Sequence, residues 1–111
     1  MKNLVFLISS LVILLSSCQP ESKLERLMKE GAKEIEAYIE AFDNAQSIDE
    51  VRQIRKELRN WDNNYWEVEI KKIELETSIT EKQKFMQDEY YNSLADRLKE
   101  AERNARRRFN N

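Results

Sequence analysis

The apolar positions along this chain follow two kinds of pattern. From Leu4 to Leu15 they are nearly continuous (LVFLISSLVILL), interrupted only by two serines. From Ser22 onward they recur every third or fourth residue among Glu, Lys and Arg, the spacing of helices that bury one face. Three such stretches follow one another, separated by short polar runs.

The first, from about Ser22 to Asn44, puts Leu24, Met28, Gly31, Ile35, Tyr38 and Phe42 on one stripe, widened by Leu27, Ala32 and Ile39. Asp43-Asn44 and Gln46-Ser47 predict the turn after it. The second opens on Ser47-Ile48-Asp49-Glu50, a capping box in which the Ser47 hydroxyl and the Glu50 carboxylate satisfy each other's backbone N–H groups. Its main stripe is Val51, Ile54, Leu58, Trp61, Tyr65, Val68 and Leu75. A second stripe, Ile48, Trp66, Ile70 and Ile73, lies about 100° around the helix. Asn60, Asp62, Asn63 and Asn64 are weak helix formers and mark a place for a kink or break. Trp66 to Ile70 alternates like a strand, but no second strand exists to pair with it, so the segment is read as helix. The third stretch starts at Thr80, where Thr80-Glu81-Lys82-Gln83 forms another capping box. Ile79, Met86, Tyr90, Leu94, Leu98, Ala101, Ala105 and Phe109 keep the helical period, and Phe85 points away from them.

Helices one and three each offer one stripe and helix two offers two, as an element touching both neighbours should. The expected fold is therefore all-α, an antiparallel three-helix bundle running up-down-up, with turns at 44–47 and 77–80. The alternative is a long helical hairpin or coiled coil that dimerises. A single Gly and a single Pro in the whole chain agree with a helical fold.

The first residues carry a different message. Lys2 precedes an apolar run well short of the about 20 residues that span a bilayer, and the run suits the core of a secretory signal. It ends in Leu15-Ser16-Ser17-Cys18: an aliphatic residue, two small residues and a cysteine. This resembles the lipobox of bacterial lipoproteins. The resemblance implies cleavage before Cys18, diacylglycerol on the Cys18 sulfur, and usually a third acyl chain on the new amino group. The chain then divides into a signal peptide (1–17), a lipidated cysteine with a short spacer (18–22) and a helical domain (23–111). Gln19 stands where, in some lineages of the lipoprotein family, an Asp directs retention in the inner membrane. The resemblance thus favours an outer membrane, facing the periplasm. Glu21 alone is a poor match to the acidic segment that sends some lipoproteins to the cell surface, which is the alternative. The competing readings of the N-terminus are an uncleaved apolar anchor and a soluble secreted protein.

Without residues 1–17 the chain has 94 residues, one small domain. Lys2 is the only charge removed, leaving 18 basic and 21 acidic side chains, net −3. That balance argues against general nucleic-acid binding. Cys18 is the only cysteine, so no disulfide forms within the chain. There is no histidine, the usual general base and metal ligand, and no Gly-rich phosphate loop. Glu67, Glu69, Glu74 and Glu76 cluster, but acidic residues at this density read as a solvated helix face. These features point to a protein that is not an enzyme and that takes no cofactor and no metal.

Two surfaces are left as candidates. Trp66, Ile70, Ile73 and Phe85 predict a partner-binding face if Phe85 does not fold onto Trp66, in which case an exposed aromatic-aliphatic patch would dock an envelope protein. Otherwise they are ordinary core; Trp61, Tyr65, Trp66, Tyr90 and Tyr91 could line a ligand groove, but aromatics at helical spacing are more simply read as core. Arg103, Arg106, Arg107 and Arg108 complement the negative end of their helix or contact anionic headgroups or cell-wall polymer. The murein lipoprotein, likewise small, helical and lipid-anchored, joins peptidoglycan through a C-terminal lysine. This chain ends in Asn110-Asn111, so that covalent link is not implied.

Overall fold

The computed structural model describes residues 21–109; the lipobox and Cys18 lie outside the described residues. The described residues are all-helical and form four helices. Helix α1 is Lys23–Asn44. Helix α2 runs over Ile48–Trp61, passes through one π-helical turn, Asp62–Trp66, and continues as Glu67–Glu74. Helix α3 is Ile79–Met86 and α4 is Glu89–Phe109.

Each start is fixed by a side chain that takes up an otherwise unpaired N–H. Ser22 Oγ accepts from the Glu25 amide at 3.0 Å, and Ser47 Oγ from the Glu50 amide at 3.1 Å. Glu50 reaches back, accepting from the Gln46 amide at 2.8 Å. In α3 the cap is Ser78, whose Oγ accepts from the Glu81 amide at 3.2 Å. The expected start at Thr80 is thereby corrected: Ser78-Ile79-Thr80-Glu81 is the capping sequence, and Thr80 sits inside the helix.

The expected third helix is two helices. Asp88 Oδ1 accepts from the amides of Tyr90 (2.9 Å) and Tyr91 (3.3 Å), giving the backbone a local partner that competes with helix continuation. Asn92 Nδ2 donates to the Met86 carbonyl at 2.7 Å and so satisfies the end of α3. This break resets the helical phase. Ile79 and Met86, expected in the buried stripe, are 75% and 72% exposed, and Tyr90 is exposed as well. Phe85, expected to point away, is buried.

The π turn has the same kind of consequence in α2. It accommodates one residue more than an α-turn does, so everything after it is rotated by about 100° relative to an unbroken α-helix. The two stripes expected on this helix are therefore one stripe with a one-residue slip: Val51, Ile54, Leu58 and Trp61 before the turn, Trp66, Ile70 and Ile73 after it. Tyr65 and Val68 are turned out, and Leu75 is 93% exposed.

Helix α2 runs antiparallel to α1. Trp61 meets Tyr38 (ring centroids 6.2 Å apart), Tyr65 OH reaches Glu30, and Glu76 pairs with Lys23 at 3.1 Å. Helix α4 runs in the same direction as α1. Tyr91 lines a groove with Leu24 and Met28, and Arg97 pairs with Glu36 at 3.7 Å. At the far end Arg108 Nη2 donates to the carbonyls of Phe42 (2.7 Å) and Ala45 (3.3 Å), capping α1 from outside. The buried cluster comprises Ala32, Ile39, Phe42, Ala45, Val51, Leu94, Ala101 and Ala105. Phe42, Val51 and Leu94 are its large, fully buried side chains. The alanines of α4 let its backbone approach α1 closely, where Phe42 fills the space. The core thus concentrates where α1 ends and α2 begins, and it is thinner where α1 begins.

Candidate functional site

At that thinner end a groove of about 340 Å³ opens between the helices. Leu24 and Met28 of α1, Ile70 and Glu74 of α2, Phe85 and Met86 of α3, and Tyr91 of α4 line it. Its existence follows from the short α3. A continuous third helix would lie along α1 and α2, whereas the break at Asp88 turns α3 aside and inserts only Phe85. The Phe85 and Tyr91 rings meet edge to face, with centroids 5.4 Å apart and planes at 66°, a favourable aromatic geometry. Lys82 faces Glu74 at 3.9 Å on the rim. Burial pushes the Tyr91 hydroxyl pKa up, with the Asp88 carboxylate adding to it.

The four residues expected to share a partner face are distributed. Ile70 and Phe85 meet in this groove. Trp66 lies elsewhere: it stacks on Trp61, with centroids 5.3 Å apart and planes 22° apart, and borders a second groove of about 330 Å³ with Ile35, Leu58 and Leu98. The five-residue spacing of the two tryptophans matches the π turn between them. The far edge of the Trp66 indole covers Gly31, where a Cβ would overlap the ring. Ile73 borders a third, more polar depression with Leu27, Tyr65 and Lys72. Leu24, Met28 and Met86 are not among the residues the sequence marks as a site, whereas Tyr91 is one of the aromatics that could line a ligand groove. The signal that would have found them is the Asp88 cap, which changes what α3 can cover.

The C-terminal arginines also divide. Arg108 is used inside the fold on α1, and Arg106 Nη2 pairs with Glu102 Oε2 at 3.3 Å. Glu102 is shared with Arg55 at 3.8 Å. Arg103 and Arg107 are exposed and, with Lys99, recur every four residues along one face of α4.

Of the acidic cluster, Glu69 pairs with Lys72, Glu74 with Lys82 and, just past the end of α2, Glu76 with Lys23. The resolved shifts in acidity move groups away from neutral pH. A hydrogen bond from Lys29 lowers the pKa of Glu21, and the same contact raises that of Lys29. Tyr90 is raised by its hydrogen bond to Glu36, Tyr65 by the nearby charge of Glu30, and Tyr38 by burial. Among the described residues no group of three or more potential metal ligands comes together. No helix among them is long and apolar enough to cross a membrane. No family model, no curated protein and no solved structure matches the chain.

Proposed function

We propose that this is a small non-enzymatic lipoprotein of the cell envelope, anchored by lipid on Cys18, that holds an apolar segment of a protein partner in the groove between α1, α2, α3 and α4. The finer fold reading is a bundle of three long helices with α3 as its side arm. The observation that carries the functional reading is the groove itself, open, apolar and lined by flexible Met28 beside rigid Phe85 and Tyr91. Methionine side chains adapt to irregular apolar partners, and aromatic rings give them a firm floor. The groove sits at the first turn of α1, close in sequence to Cys18. A partner bound there is held near the membrane, in the orientation favouring the periplasmic side of an outer membrane.

A second reading assigns the exposed stripe Lys99, Arg103 and Arg107 to an anionic polymer. This stripe lies toward the far end of α1, whose 22 residues span about 33 Å. It is therefore directed away from the bilayer that would hold Cys18, toward cell wall and not toward headgroups of the same membrane.

One crosslinking experiment in intact cells tests both. A photoreactive residue at Met28 or at Ile70 is expected to give the same discrete protein adduct, while one at Gln53, exposed on the other half of α2, gives none. Ile70→Glu should abolish the adduct from Met28. Equal adducts from Gln53, or none from either groove position, would end the groove reading. Adducts to peptidoglycan from Arg103 alone would favour the second.

A further inference from the structure

Three large apolar side chains are exposed at one end of the domain. Leu75 closes α2, Ile79 opens α3 and Met86 ends it. Ile79 and Met86 are seven residues apart, so they project from the same side of α3, about 100° around the helix from the buried Phe85. This is the end at which α1 begins. Lys23, the first residue of α1, pairs with Glu76, the neighbour of Leu75, and Met86 shares the groove wall with Leu24 of the first turn of α1.

Soluble domains seldom leave such side chains exposed together without an occupant for them. The length of chain before α1 names the occupant. Cys18 is five residues from Lys23, and five residues reach at most about 18 Å when fully extended. A domain tethered through Cys18 therefore cannot move this end far from the membrane surface. Residues 75–86 carry two acidic side chains, Glu76 and Glu81, and two basic ones, Lys82 and Lys84, and Glu76 and Lys82 pair with Lys23 and Glu74, so this segment sets up no strong repulsion from anionic headgroups. We propose that Leu75, Ile79 and Met86 insert into the bilayer surface beside the lipid anchor, giving the domain a fixed orientation: α1 and α4 rise from the membrane with the Arg103–Arg107 end outermost. The inference rests on the lipid anchor and adds a second point of attachment to it. Apolar side chains at this depth enter the boundary between headgroups and acyl chains without spanning the bilayer. Orientation in turn sets which partner reaches the groove, because its mouth then opens immediately above the headgroups.

The test uses the full mature chain isolated from membranes and reconstituted in vesicles of phosphatidylethanolamine and phosphatidylglycerol, doped with a lipid carrying a diazirine in its acyl chain. After irradiation the adducts are mapped by mass spectrometry. Label is expected on peptides containing Leu75, Ile79 and Met86 and not at the opposite turn, Ala45–Ser47. The variant Leu75→Ser/Ile79→Ser/Met86→Ser should lose most of that label while its thermal unfolding stays where it was, since the three side chains are exposed. An acylated chain that floats with the vesicles yet takes no label at 75–86, or a triple variant labelled as strongly as before, overturns this inference alone. Crosslinks between two copies at 75–86 in place of lipid adducts would assign the surface to a dimer instead. A chain that carries no acyl group overturns the anchor and this inference together.

Discussion

Inserting one alanine between Asn63 and Asn64 is expected to destabilise the domain by on the order of 3–4 kcal/mol, whereas deleting Asn63 is expected to leave the fold in place. The asymmetry follows from what the π turn does. It takes up one residue beyond an α-helical repeat and thereby keeps Trp66, Ile70 and Ile73 in line with Leu58 and Trp61. Removing that residue converts the turn to ordinary α-helix and leaves the downstream stripe facing α1. Adding another rotates the stripe by about 100°. Tyr65, Glu69 and Lys72 would then face inward, and three half-buried apolar side chains would turn out to water. Each large apolar side chain contributes about 1.5–3 kcal/mol when fully buried, and roughly half of that applies to each here. Desolvating Glu69 and Lys72 adds to the cost. Urea unfolding of the domain from residue 19 measures the difference as a shift in midpoint at constant slope. Equal costs for insertion and deletion would show that the turn does not set the register.

A second large effect is a reversal of sign at Gly31. Alanine is a better helix former than glycine by about 1 kcal/mol, so Gly31→Ala in the middle of α1 would ordinarily stabilise. Here the new methyl overlaps the Trp66 indole, which is held from the other side by Trp61. Overpacking of this kind costs about 1–3 kcal/mol, so the substitution is expected to be destabilising by up to about 2 kcal/mol. Trp66→Ala alone should cost about 3 kcal/mol, the lower end for a large aromatic because Trp66 is only half-buried. With Trp66 already removed, Gly31→Ala should stabilise by about 1 kcal/mol. The double-mutant cycle then shows a coupling of about 1–3 kcal/mol, the overpacking cost itself. Additive effects would mean that the indole does not rest on Gly31.

Helix content, the first two caps and most of the buried positions of α1 were legible in the sequence, because they depend on local spacing. Phe42, Ile39 and Ala32 are buried as the 3.6-residue period requires. What was not legible depends on phase carried across an irregularity. Tyr65, Val68 and Leu75 continue the stripe of Val51 and Leu58 on paper, but the π turn slips the helix by one residue and exposes them. Asn60 to Asn64 marked the place and could not say that the helix would absorb the fault by widening one turn. In the same way Ile79, Met86 and Tyr90 read as the start of the stripe that continues through Leu94 and Ala101. The Asp88 side chain separates them from it, and its role as a cap competes with an uninterrupted helical pattern that looks stronger. The groove is a product of these two faults, so its lining could not be assembled from any one stripe. The arginine run was legible as positive charge at a helix end, but the capping of α1 by Arg108 depends on a contact across 66 residues of sequence.

The central claim, that lipid on Cys18 holds this helical domain at a membrane, is tested most directly by following Cys18→Ala beside the unaltered chain in cells supplied with labelled fatty acid. The unaltered chain is expected to sediment with membranes, to carry the label and to begin at Cys18 by mass. The variant is expected to take up no label and to differ in size. A Cys18→Ala chain that is processed to the same size as the unaltered one and still sediments with membranes would contradict the account.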